Sequence, residues 1–164
     1  MSGGLPDAGR TAVYEAEDAV FGGTFLDETR PLAELVREAA EVTTGEWWHS
    51  AGGPAVRVVA ARRSATSSSA RTRPDGGSVE VRLAGSQQDL ATLAHELAHA
   101  LAGIEHGHDA TFRAALVDVC ALVADGGASG ALERAYRSLG VPAGRRRWPP
   151  PVRATGAGFV VVPR

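Results

Sequence analysis

The sequence predicts an α+β fold in one domain, and three observations carry that expectation. Five stretches repeat apolar residues at helical spacing, and two stretches in mid-chain read as strands. A length of 164 residues with 44% hydrophobic content supports one core but not two comfortable ones. The domain is expected to occupy residues 1–144, followed by an Arg/Pro-rich tail at 145–164.

The first helix is expected from about Ala8 to Phe21, with Val13, Ala16, Ala19 and Val20 on one side and Gly22-Gly23 as the stop. The second begins near Pro31, a favoured first-turn residue, and buries Leu32, Leu35, Val36, Ala39 and Ala40 before Thr43-Thr44-Gly45. Trp47 and Trp48 follow; adjacent tryptophans can frame a ligand groove, but a partly buried core edge is their commoner fate. Residues Ala55–Ala60 and Ser78–Leu83 read as strands, expected to pair antiparallel, with the polar stretch between them a mobile excursion. A third helix is expected to open at Ser86, with Asp89 completing an approximate capping box, and to close at Gly103. A fourth runs from Asp109 or Thr111 to Gly126-Gly127, and a fifth from about Gly130 to Leu139.

Composition narrows the partners. A net charge of -2 gives no global basic field, so neither nucleic acid nor a membrane surface is an expected partner. All 17 basic residues are Arg, a skew that fits a GC-rich genome better than phosphate recognition. The lone Cys120 sits in an apolar run as a small hydrophobe and excludes an intrachain disulfide. Met1 to Asp7 carry neither a basic cluster nor an apolar run, which makes the cytoplasm the expected location.

Chemistry concentrates in one place. Four of the five histidines, His95, His99, His106 and His108, fall within fourteen residues. Residues four apart on a helix share a face, so His95 and His99 can direct their imidazoles at one metal ion. Leu90, Leu93, Ala94, Leu97 and Leu101 make an apolar stripe on nearly the opposite side. A catalytic zinc ion takes three protein ligands and leaves a position for water, and Glu96 beside the first ligand suits the general base of His-Glu-x-x-His. The third ligand must follow Gly103, where the chain can reverse. The longer zincin pattern would need Gly at 102 and His at 105, but the chain has Ala102, Gly103 and Glu105. His106 and, less readily, Glu105 are then candidates beside His108.

The run His95-Glu96-Leu97-Ala98-His99-Ala100-Leu101, followed by His108-Asp109-Ala110-Thr111-Phe112, resembles SprT-like zincins and a group of actinobacterial metallohydrolases. The actinobacterial group is the nearer match, because Val13-Tyr14-Glu15-Ala16-Glu17 looks like its opening motif, and Ala135-Tyr136 with Gly140-Val141 like its C-terminal helix. The resemblance implies a zincin-like fold, with a short antiparallel sheet packed against the metal-site helix and further helices. It implies Zn2+ held by His95, His99 and His108, with Glu96 as catalytic base. It also implies a peptide or protein substrate, which could pair with the strand Ser78–Leu83. Asp109 stands where the family has Gly, which keeps His106 in view. Tyr136 is a candidate oxyanion donor, and Asp118 or Glu133 a candidate for orienting an imidazole. SprT-like proteases include DNA-associated members, but no second basic cluster accompanies Arg145-Arg146-Arg147. Two other functions fit the motif: a partner-specific regulatory protein similar to the ImmA/IrrE group, or a purely structural domain with a degenerate motif.

Overall fold

The computed structural model describes residue 7 and residues 9–152; the readings for residues 1–6 and for the tail beyond 152 lie outside them. The described chain is α+β, with six helices and one three-stranded sheet. The helices are α1 (Arg10–Phe21), α2 (Leu32–Thr43), α3 (Glu46–Ser50), α4 (Leu90–Ala102), α5 (Ala110–Val123) and α6 (Gly126–Ser138), and the strands are β1 (Ala55–Ala60), β2 (Ser69–Thr72) and β3 (Ser78–Leu83). No helix among the described residues is long and apolar enough to cross a membrane.

Helix α4 is the centre of the molecule. Asp89 caps its start by accepting from the Thr92 N–H at 2.6 Å, so the helix opens at Leu90, four residues after Ser86, which lies in a short 3-10 turn. Gly103 ends it with φ 101°, a left-handed conformation that costs a glycine little. Ten of its thirteen residues are buried, because α5, α2, β2 and β3 all pack on it. The predicted division into a leucine face and a cleft face therefore becomes a helix enclosed on most sides. Burying Leu93 and Leu97 completely contributes on the order of 2 kcal/mol each.

The sheet differs from expectation in two ways. Strand β1 pairs with β3 in parallel, with Ala55 opposite Ser78, rather than antiparallel. The reason is β2, which arises from the polar stretch expected to be mobile and forms a hairpin with β3 through a turn held by Asp75. That hairpin takes one edge of β3, and β1 occupies the other. As the middle strand of the order β1-β3-β2, β3 has no edge left for a peptide, so the expected pairing of a substrate with Ser78–Leu83 is excluded. The free edges belong to β1 and β2. Val79, Val81 and Leu83 alternate inward as predicted.

The C-terminal helices also shift. Gly126-Gly127 begin α6 rather than ending α5, because Asp125 caps that turn by accepting from the Ala128 N–H at 2.8 Å. Asp118, fully buried on α5, accepts a bidentate pair from Arg146 Nε and Nη2 at 2.6 and 2.8 Å and a further bond from Trp148 Nε1 at 2.9 Å. Residues just beyond the expected domain boundary are thus bound to the core, and the charge of Asp118 is fully compensated. Trp48 is buried core with its N–H on the Pro54 carbonyl, while Trp47 donates to the Pro149 carbonyl. Burial pushes the Cys120 thiol up to about 12, as fits an inert hydrophobe.

Candidate metal centre

Three segments distant in sequence bring side chains to one point. Helix α4 supplies His95, Glu96 and His99, the turn after Gly103 supplies His108, and α1 supplies Tyr14 and Glu17 from one face. One ligand atom from each of His95, His99 and His108 lies within 4.8 Å of the others, and no other such group of three occurs among the described residues. His106 does not join them. Its Nδ1 pairs with the Asp109 carboxylate at 2.8 Å, and Asp109 also caps α5 by accepting from the Thr111 and Phe112 N–H groups. Asp109 keeps an ordinary φ of -71°, so the turn needs no glycine where the resemblance expects one.

Two carboxylates orient the imidazoles. Glu17 lies 2.8 Å from His95 Nδ1, and Asp7 hydrogen-bonds His108 Nδ1 and accepts the His108 backbone N–H at 3.3 Å. Each partnership makes Nδ1 the protonated nitrogen and turns Nε2, with its lone pair, toward the other ring. The two Nε2 atoms stand 3.1 Å apart. Facing lone pairs at that distance repel unless a cation lies between them, either a proton or a metal. Two nitrogens each about 2.0–2.1 Å from a tetrahedral zinc ion would stand about 3.3 Å apart, so the donor set fits the ion.

The surroundings are arranged for the same end. Phe112, fully buried, packs against all three imidazoles with centroids 4.3 to 5.0 Å away. Tyr14 stacks on His95 at 5.5 Å and 9°. Arg113 fixes the turn by donating to the carbonyls of His108 at 2.8 Å and Pro142 at 3.1 Å. A Cβ on Gly9 would lie 2.2 Å from the His108 carbonyl oxygen, so only glycine lets the segment bearing Asp7 approach this closely.

Electrostatics divide the rings. Burial pushes His99 down to about 3, aided by repulsion from His95 and His108, so it is a neutral donor at physiological pH. Burial also lowers His108 despite the Asp7 bond, whereas at His95 the opposing burial is outweighed by the Glu17 charge and hydrogen bond, which raise it. Burial pushes Glu96 up to about 7. The residue is 6% exposed, its carboxylate makes no hydrogen bond among the described residues, and it lines a cleft beside His95.

No protein-family model, curated protein or solved structure matches this chain.

The other candidates have different tasks. Tyr136 is fully buried and does not line the cleft. Asp118 serves Arg146 and Trp148, and Glu133 pairs with Arg137 at 3.0 Å on the surface, so neither orients an imidazole. The orienting acids that sequence reasoning missed are Glu17 and Asp7. Glu17 had a legible signal: it falls on the α1 face with Val13, Ala16 and Val20, where a carboxylate needs a partner. Asp7 had none. Glu17→Gln, which keeps the shape but removes the charge, is expected to weaken zinc binding by about 10- to 100-fold. Competition with a zinc-sensitive chelating dye measures this, and an unchanged affinity would remove Glu17 from the site.

Proposed function

We propose that this chain is a zinc-dependent metallohydrolase of zincin type that cleaves amide bonds in peptides or proteins. The observation that carries the reading is the pair of Nε2 atoms 3.1 Å apart on rings whose Nδ1 atoms are committed to Glu17 and Asp7, next to an unpartnered buried Glu96. A proton alone would explain the facing rings, but not the nearby third imidazole or the free carboxylate. A sheet packed on α4 supports the coarse layout of helix against sheet, although its β1–β3 pair is parallel where the resemblance implies an antiparallel one.

His95, His99 and His108 would hold the ion, which when bound supplies Lewis acidity that acidifies water and polarises a carbonyl. Glu96 accepts a proton from the attacking water on its carboxylate and returns it to the leaving nitrogen. In the metal-free chain burial raises its pKa to about 7, and a bound cation would lower it, which leaves a carboxylate able to take the proton near neutrality. Glu17 and Asp7 hold the rings in one tautomer throughout. Phe112 keeps bulk water from their inner faces.

The test is turnover of a diverse peptide mixture by the zinc-loaded chain, read by mass spectrometry. Cleavage that a chelator abolishes and added zinc restores is the expected result. One bound zinc with no peptide cleaved would reject general peptidase activity and favour the partner-specific regulatory alternative. Absence of zinc uptake by folded protein would reject both.

A further inference from the structure

The arginines are not spread evenly along this chain. Residues 55–84, which form the sheet and its connections, hold six arginines against only two acids, Asp75 and Glu80, so a basic segment is set in a chain whose net charge is -2. Alternate residues of a strand share a face, so Val79, Val81 and Leu83 turn inward beneath α4, while Glu80 and Arg82 turn outward. In the β2–β3 register Ser69 lies opposite Arg82 and Arg71 opposite Glu80, which puts all four on that outer face.

At one end of this face the β1–β2 loop curls back and closes a hollow of about 370 Å³. Three segments each bring one guanidinium to it: Arg62 from the loop, Arg71 from β2 and Arg82 from β3. The hydroxyls of Ser64, Thr66 and Ser69 lie among them, and no carboxylate lines the wall. The loop is held in this shape by bonds that spare those side chains. The Ala61 N–H donates to the Leu83 carbonyl at 2.9 Å, the Ala65 N–H to the Arg62 carbonyl at 2.8 Å, and the Ser68 N–H to Gln87 Oε1 at 2.7 Å.

The charges of the hollow are not matched from within the protein. Arg82 Nε donates to Glu80 at 2.7 Å, which fixes that guanidinium and leaves its two terminal nitrogens without a partner among the described residues. Arg62 and Arg71 form no ion pair among the described residues. Glu80 is held below the usual carboxylate range first by its bond to Arg82 and then by the charges of Arg82, Arg57 and Arg73, so its own charge is already shared. Like charges that converge in one hollow repel until an anion joins them. Two unmatched guanidinium charges suit a dianion, and the hydroxyls supply donors for more oxygens than a carboxylate has. A phosphomonoester meets both conditions, carrying about -1.5 to -2 charges over three terminal oxygens near neutrality.

We propose that the hollow between β2, β3 and the β1–β2 loop binds a phosphate group, either the free ion or a small phosphomonoester. It lies on the face of the sheet turned away from α4, apart from the imidazoles, and does not depend on the hydrolase reading.

The test is calorimetric titration of the full chain with phenyl phosphate, inorganic phosphate and benzoate, both zinc-loaded and stripped of metal by a chelator. Phenyl phosphate or inorganic phosphate is expected to bind at least about tenfold more tightly than benzoate, equally with and without metal. Whichever phosphate binds more tightly identifies the source, ester or free ion, and both results sustain the site. Arg62→Gln and Arg71→Gln should each weaken phosphate binding about five- to tenfold, whereas Arg57→Gln, outside the hollow, should change it less than about twofold. Arg62→Gln, in an exposed loop, covers the case in which a change in β2 unsettles the sheet. No phosphate binding below about 20 mM, or benzoate held as tightly as phenyl phosphate, overturns the proposal. Equal losses from Arg57→Gln and Arg71→Gln do the same, because they would mean a diffuse basic face. So does binding that disappears with the metal, which would put the phosphate at the imidazoles. A DNA duplex that binds where phenyl phosphate does not would also overturn it, by making this face a polyanion surface.

Discussion

Replacing Glu96 by glutamine is expected to lower peptide turnover by about two to four orders of magnitude while zinc stays bound. Glutamine keeps the shape but cannot take a proton from water at neutral pH. The same variant has a second consequence in the metal-free protein. The Glu96 carboxyl, normally near 4.5, is pushed up to about 7 by burial. A carboxyl whose folded pKa is raised contributes stability that is fully present below the unfolded value and is lost as pH rises through the folded one. Metal-free Glu96→Gln should therefore be more stable than the parent above pH 7, by up to about 3 kcal/mol, with the difference vanishing below about pH 4. Urea melts at pH 4 and pH 8 with zinc removed measure this. A variant with parental turnover would reject Glu96 as base. An unchanged pH dependence would mean that its carboxylate is solvated.

Removing an imidazole should have the largest effect on the metal. Structural zinc sites bind with about 10–16 kcal/mol, so one ligand in a small set is worth about 3–4 kcal/mol. His95→Ala is accordingly expected to weaken zinc binding at least about 100- to 1000-fold. It also strands Glu17, whose side chain is only 12% exposed, without its ring. An uncompensated buried charge destabilises the fold, so metal-free His95→Ala should melt below the metal-free parent. His106→Ala provides the contrast, because its ring pairs with Asp109 and zinc affinity should not change. Chelator competition and metal stoichiometry decide between them. If loss of His106 and loss of His95 weaken zinc equally, the three-imidazole site is wrong.

The parts of this architecture that local chemistry encodes were readable in advance. A spacing of four puts His95 and His99 on one helical face, Gly103 reverses the chain, and Asp109 caps the next helix. His108 entered through a resemblance, and the structure brings its ring to the other two. What escaped depended on partners remote in sequence. Glu17 meets His95 across 78 residues and Asp7 meets His108 across 101, distances at which no periodicity constrains the pairing. The direction of β1 was hidden for a similar reason. A strand's own pattern reveals its buried face, but its orientation follows from the connection, and the connection here contains the short polar strand β2. The sequence makes Asp118 a candidate for orienting an imidazole only as one of the acids downstream of the motif. Its actual donors lie 28 and 30 residues ahead, in a tail that composition alone described.

Because residues near positions 7 and 17 must dock before the rings at 95 and 108 are held in place, the tightest binding of an ion requires the completed fold. A nascent polypeptide that has exposed only its first helix, or even the whole sheet, has no pocket tight enough to retain a transition metal. Such long-range closure slows acquisition of the native state relative to a helical hairpin of the same size. Full affinity for the ion would thus report a completed fold, because the helix and turn that carry the three imidazoles gain their orienting acids only when the N-terminal residues dock.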